Sequence, residues 1–188
     1  MRQFAALQQK SLFISAGHSD SDPGAVGNGH TEANIVLEFR DLLAEYLGER
    51  VIVDKDGTDG KNLPLRDAVG AAKAHDLAVE FHCNAAASQA ATGVETLSAG
   101  HHYPLGNALC HAIADALGIA NRGAKGEASG QHSRLAFISQ GGGVIVELFF
   151  LSNKRDLAKY IANRRRCVEA VGDVLINEIC APALEYSA

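Results

Sequence analysis

Four side chains far apart in the chain have the types that a hydrolytic metal site needs: His18, Glu32, His82 and Glu147. His18 follows an apolar run, Leu12-Phe13-Ile14, that ends on Gly17-His18. Glu32 lies beyond a loop rich in Gly, Asp and Ser and opens an amphipathic stretch. A histidine at a strand's end and a carboxylate in a helix's first turn can face each other across such a loop. His82, in DLAVEFHCNAA, is the candidate for a third donor. Strand alternation puts Leu77, Val79, Phe81 and Cys83 on one face and Ala78, Glu80, His82 and Asn84 on the other. His82 then stands at the strand's carboxyl end, level with His18. Two imidazoles and one carboxylate are the ligand type of catalytic zinc sites that keep a fourth position open for water. Zinc so held keeps a net positive charge, which lowers the pKa of a bound water toward neutrality.

Glu147 interrupts the apolar run GVIVELFF, with Val144-Ile145-Val146 before it and Leu148-Phe149-Phe150 after it. A buried carboxylate is costly unless it is paired or lies near a cation. It is either a structural group bonded to an amide or an arginine, or a general base whose pKa apolar walls have raised. By spacing alone the metal reading competes with plainer ones. A Gly-His after a strand is ordinarily a loop residue, and the helix dipole alone favours a Glu in a first turn. No compact pattern such as HExxH joins the donors.

The elements that must carry these residues are legible as short apolar runs and longer periodic ones. Strand-like runs fall at 11–17, 50–55, 76–83, 93–99, 134–140 (RLAFISQ) and 143–150. Their near-continuous apolar character suits a sheet covered on both faces. From Thr31 to Leu47, Ile35, Val36, Phe39, Leu42, Leu43 and Tyr46 repeat at helical spacing, and Gly48 ends the pattern. Further helices are expected over Leu65 to Ala74, behind Pro64, and over Leu105 to Leu117. After Asn153 a short helix and then a longer one, from about Asn163 to Ile179, are expected. Strands alternating with helices predict a three-layer αβα sandwich with a mostly parallel sheet, whose functional loops leave the carboxyl ends of the strands.

Length and composition bound the rest. A chain of 188 residues is most simply one domain with a core of its own. The formal charge of -5 argues against nonspecific nucleic-acid binding. No run approaches the ~20 apolar residues of a membrane span, and the N-terminus lacks the apolar centre of a signal peptide. The expectation is synthesis in the cytoplasm. Cys83, Cys110, Cys167 and Cys180 form no CxxC pair and read as free, mostly buried thiols.

Taken together, GHSDSDPGAVGNGHTE, EFHCNAA and VIVELFFLSN resemble the zinc-dependent N-acetylmuramoyl-L-alanine amidases of the Amidase_3 type, in order and spacing over about residues 11 to 178. Leu65-Arg66 opening a helix, GVET after the second histidine and Asn121-Arg122-Gly123 fit as well. The resemblance implies a six-stranded sheet, zinc held by His18, Glu32 and His82, and Glu147 as the catalytic glutamate. It implies cleavage of the amide between N-acetylmuramic acid and the L-alanine of the peptidoglycan stem peptide. Arg122 or Arg134 is a candidate to stabilise the oxyanion. Two positions depart from the family: Glu80 replaces a small polar residue, and Phe149 stands where Gly is common. Glu80 either supports His82 or narrows the cleft.

Among other residues, His30 reads as a solvated loop position. His101 and His102 are candidates for the cleft rim, His132 for substrate contact, and Asn84 for either a cleft residue or a turn. His75 and His111 read as surface positions, and Arg164-Arg165-Arg166 as the solvated start of a helix. A murein amidase with no export signal suggests a phage endolysin released by a holin, with a bacterial remodelling amidase as the alternative. A zinc peptidase or carboxypeptidase acting on the stem peptide, and a noncatalytic murein-binding module, are the other classes. Intact donors and an intact Glu147 argue against the last.

Overall fold

The apolar run at the start of the chain becomes the second strand of a six-stranded sheet. In the computed structural model, which describes residues 10–57, 60–129 and 133–181, β1 (Ser11–Ala16) is followed by a two-stranded hairpin, β2 (Val26–Gly27) and β3 (His30–Thr31). Helix α1 (Glu32–Leu47), β4 (Ile52–Lys55), α2 (Leu65–Ala72), β5 (Leu77–Asn84) and β6 (Val94–Ser98) come next. The chain continues through α3 (Tyr103–Leu117), β7 (Asn121–Gly126), α4 (Ala136–Ser139), β8 (Val144–Phe150) and α5 (Lys154–Cys180). The strand order is β4-β1-β5-β8-β6-β7. Every neighbouring pair is parallel except β6 and β8, which run antiparallel. The three-layer α/β architecture is therefore as the sequence predicts.

Strand alternation divides the core into two. Leu12, Ile14, Val79, Phe81, Val144 and Val146 face one way and pack under α1, α3 and α5, against Phe39, Leu43, Leu109, Val168 and Leu175. Phe13, Ala78, Leu97 and Ile145 face the other way, under the much shorter α2 and α4. Each such fully buried side chain contributes roughly 1.5–3 kcal/mol. Those two short helices leave part of their face of the sheet uncovered, and the cleft lies there.

Three sequence expectations are corrected. RLAFISQ is not a strand: residues 136–139 form α4, whose Phe137 and Ile138 plug the smaller core. A short apolar run fits a helical turn as well as a strand, and periodicity cannot separate them. The sixth strand is β7, NRGAKG, an edge strand with no buried residue and hence no apolar signature. The two C-terminal helices are one helix of 27 residues, α5. No Gly or Pro lies between Asn153 and Asn163, and Arg164 continues the helix while pairing with Glu38 on α1 at 2.6 Å.

The segment between β1 and α1, expected as a plain loop, holds a hairpin. Asn28 and Gly29 take φ values of 52° and 82°, as a two-residue turn of Asn-Gly type requires. The Asn28 side chain donates to the Leu151 carbonyl at 2.7 Å and ties the hairpin to the end of β8. Thr31 then caps α1, its hydroxyl accepting from the Asn34 amide. Cys83, Cys110 and Cys167 are buried, Cys180 is exposed, and all four are free thiols. No helix among the described residues is long and apolar enough to cross a membrane.

Candidate metal centre

His18, Glu32 and His82 come together although 64 residues of chain separate the first from the last. One nitrogen or oxygen of each lies within 4.8 Å of the others. His18 stands just beyond the carboxyl end of β1, His82 near that of β5, and Glu32 at the first position of α1. Oε1 of Glu32 lies 2.9 Å from His18 Nε2 and 3.0 Å from His82 Nδ1. The same carboxylate accepts the Cys83 amide on Oε1 and the Ala25 amide on Oε2, each at 2.9 Å.

The outer nitrogens of both imidazoles are held by carboxylates. His18 Nδ1 meets Asp22 Oδ2 at 3.0 Å, and His82 Nε2 meets Glu80 Oε1 at 3.0 Å. Such contacts fix which ring nitrogen carries the proton and leave the other as the donor to a metal. Glu80 is buried and also accepts the Ser15 hydroxyl at 3.1 Å. It supports His82 and at the same time lines the cleft.

The backbone around His18 is shaped for this purpose. His18 itself has φ 70°, an unusual conformation for a residue with a side chain, costing about 1–2 kcal/mol. The Asn62 amide group sits among the carbonyls of Ala16, Gly17 and His18, at 2.6, 3.1 and 3.1 Å, and holds that turn. Glycine is required nearby for reasons of space. A Cβ on Gly24, at φ +61°, would lie 2.5 Å from His18 Nε2 and 2.7 Å from Glu32 Oε2. On Gly17 it would lie 2.2 Å from the His82 ring.

Glu147 and His82 are register partners on the adjacent parallel strands β8 and β5. On the other side Glu147 is paired in register with Glu95 of β6. Burial pushes the Glu147 carboxyl up to about 7, with Glu32 and Glu95 adding to the shift and the imidazoles opposing it. In the triad the balance is reversed. Burial disfavours a charge on Glu32, but the close approach of both imidazoles holds its pKa far below the usual carboxylate range. Burial likewise lowers His82, yet Glu32 and Glu80 outweigh it and hold that imidazole well above its usual range.

These residues fit a divalent cation such as zinc. His18 Nε2 is shielded from solvent and, although close to Glu32, is out of line for a hydrogen bond. Glu147 Oε2 is also shielded and without a partner among the described residues. Unpartnered buried polar atoms are uncommon and call for a ligand or an ion. A cation at the triad would satisfy His18 Nε2 and would take the place of the protons that the imidazoles otherwise hold.

The cleft has a volume of about 580 Å³ and is lined by the triad, Glu80, Asn84, Glu95, Arg122, Glu147 and Phe150, among others. Asn84 is a cleft residue, its amide donating to Glu95 Oε1 at 3.0 Å. Arg134 is exposed and is not among the lining residues, so Arg122 is the basic group at the cleft. His101 and His102 do not reach the rim. They follow the carboxyl end of β6, and because β6 is reversed relative to β8, that end points away from the cleft. His102 bonds instead to the Gly142 carbonyl at 3.1 Å. His132 lies outside the described residues. His30 and His111 are exposed, whereas His75 is half-buried and bonded to Asp54 and the Ala71 carbonyl. Phe149 stacks on Tyr160 in the core, so that departure from the family does not touch the cleft. Asp22, Asn62 and Glu95 were not singled out from the sequence. Only the spacing of Asp22, four residues after His18, was a usable signal.

Comparison with known proteins agrees with this fold. The Amidase_3 pattern, described as N-acetylmuramoyl-L-alanine amidase, matches residues 12–177. A Neisseria meningitidis protein, provisionally designated an N-acetylmuramoyl-L-alanine amidase, has a solved structure that superposes with a TM-score of 0.82 at 40% identity, covering 90% of this chain and 95% of that one. The catalytic domain of CwlV, an N-acetylmuramoyl-L-alanine amidase from Bacillus (Paenibacillus) polymyxa var. colistinus, shares the fold, with a TM-score of 0.78 at 23% identity over 92% of this chain and 99% of that one. The N-acetylmuramoyl-L-alanine amidase LytC of Bacillus subtilis is 28% identical over 158 residues, which are 80% of this chain but only 31% of LytC. The chain belongs to the N-acetylmuramoyl-L-alanine amidase family.

Proposed function

We propose that the chain hydrolyses the amide between N-acetylmuramic acid and the L-alanine of the peptidoglycan stem peptide, with zinc held by His18, Glu32 and His82 and with Glu147 as the proton carrier. The observation that carries this is the convergence of three distant donors beside a carboxyl whose pKa lies at about 7. Zinc, when bound, would act as a Lewis acid on the scissile carbonyl and make a water nucleophilic near neutral pH.

The protein's own groups do the rest. Asp22 and Glu80 keep the two imidazoles turned toward one point. Glu147 Oε2, directed at no protein partner among the described residues, is free to take the proton of the attacking water. With a pKa near the working pH it gives that proton up again to the departing alanine nitrogen. The apolar walls from Ile145, Leu97, Phe137 and Phe150 keep the carboxylate poorly solvated and therefore basic.

Digestion of purified murein followed by mass spectrometry tests the reading. Free lactyl ends on the glycan together with intact stem peptides are expected. Shortened stems would point to a peptidase or carboxypeptidase instead and sink the amidase assignment. The endolysin role belongs to the same proposal and is tested separately. Expression in a bacterial host should cause lysis only when a holin is co-expressed, and lysis without one would overturn it.

A further inference from the structure

The cleft is acidic over most of its wall. Glu32, Glu80, Glu95 and Glu147 all line it. Among the described residues that line it, Arg122 is the one lysine or arginine. Away from the triad, where zinc would supply positive charge, an anionic group on a bound ligand has Arg122 as its one cationic partner among the described lining residues.

Arg122 is built into that place. Its Nε donates to Glu95 Oε2 at 2.5 Å, and its guanidinium carbon lies 5.0 Å from the centre of the Phe150 ring. Lys125 Nζ donates to the same Glu95 oxygen at 2.6 Å, and the Asn84 amide holds the other at 3.0 Å. Two cations on one carboxylate leave the cluster with a net positive charge. The terminal guanidinium nitrogens have no protein partner among the described residues, and 38% of the side chain is exposed. A guanidinium whose orientation is already fixed binds a carboxylate with less loss of freedom than a mobile one.

The position relative to Glu147 is also defined. Glu147 on β8 faces Glu95 on β6, and β7, which carries Arg122, is the next strand across. Strands lie ~4.8 Å apart, so the strand of Arg122 is roughly 10 Å from that of Glu147. An extended peptide advances ~3.3–3.6 Å per residue. A carboxylate on the residue that follows L-alanine then comes within reach of the guanidinium, while the scissile amide stays beside Glu147.

We propose that Arg122, fixed on Glu95, is a specificity-determining residue that binds a carboxylate of the stem peptide on the residue after L-alanine. It acts on substrate choice and not on the oxyanion. The inference rests on the amidase reading.

The test uses two soluble muramoyl peptides that differ only in bearing a carboxylate or a carboxamide on the residue after L-alanine. The wild-type enzyme should favour the carboxylate in kcat/KM by on the order of 10- to 100-fold, the effect of one charge-assisted pair. In Arg122→Gln that ratio should collapse toward one, with the loss carried by KM. Arg122→Lys, which keeps the charge but not the planar fork, should retain part of it. Equal kcat/KM of the wild type on both peptides would overturn the proposal, as would an equal loss on both in Arg122→Gln. A loss carried by kcat would assign Arg122 to the oxyanion instead. The wild-type comparison stands even if a variant folds poorly. If the wild type cleaves neither peptide, it is the amidase reading that fails. Calorimetric binding of the two peptides to Glu147→Gln then still decides the subsite, and equal affinities would overturn it.

Discussion

His82 and Glu147 are register partners on two adjacent parallel strands, so the proposed metal donor and the proposed proton carrier occupy a single rung of the sheet. Their separation is set by strand pairing and not by a loop. The first prediction follows from that rigidity. Glu147→Gln keeps the shape of the rung and removes only the base. Zinc content by elemental analysis should match the wild type, while turnover of murein falls by roughly 10²- to 10⁴-fold. Near-normal turnover would remove Glu147 from the mechanism.

The pH profile offers a second check. Glu147 takes a proton only when ionised, and burial places its pKa at about 7. Activity should therefore fall as pH drops, with a limb at or below about 7, because a bound cation favours the carboxylate. In Glu147→Gln the residual activity should lack this limb. A limb of unchanged position in the variant would assign the titration to another group.

The same shift has a consequence for stability. A carboxyl whose folded pKa is raised stabilises the fold below its unfolded value of 4.5, and that contribution is lost as pH rises through about 7. Glu147→Gln should thus stabilise the metal-free protein at pH 8 by on the order of 3 kcal/mol, and much less at pH 5. Urea unfolding at the two pH values measures the difference. Equal effects at both would mean that Glu147 is not strained in the folded state.

Metal removal is the third lever. A chelator should abolish activity and lower the melting temperature, and zinc at 100 times its Kd should restore about 2.7 kcal/mol of stability. His82→Ala should lose both the zinc content and the zinc-dependent rise in melting temperature. Full zinc occupancy in that variant would count against His82 as a ligand.

Gly17→Ala separates positioning from stability. The added Cβ would meet the His82 ring at 2.2 Å, far inside contact distance. The ring must turn away, so zinc affinity should fall at least tenfold. An unchanged affinity would show that the ring has another place to go.

The sequence carried the strand-borne part of the site well. His18, Glu32 and His82 each sit at a junction marked by a change of hydrophobic period, Glu147 interrupts an apolar strand, and the structure brings the first three together. What it concealed was mostly non-local. Asn62 holds the His18 turn from 44 residues away through backbone carbonyls, which no periodicity reports. Strand β7 lacks apolar residues because it is an edge, while RLAFISQ has them because it caps a core. The misplacement of His101 and His102 has one cause. Strand direction is not written in a strand's own residues, and β6 runs opposite to its neighbour β8.

That reversal builds the cleft from two halves that lie in separate stretches of chain. The parallel strands β1, β5 and β8 deliver His18, His82 and Glu147 from their carboxyl side. The reversed pair β6 and β7 delivers Glu95 and Arg122 from its amino side, as a contiguous block joined through α3. The proposed chemistry and the proposed recognition thus fall to separate stretches of chain that meet along one seam, the pairing of β8 with β6. An exchange of residues 94–126 between relatives should transfer substrate preference and leave the hydrolytic apparatus in place.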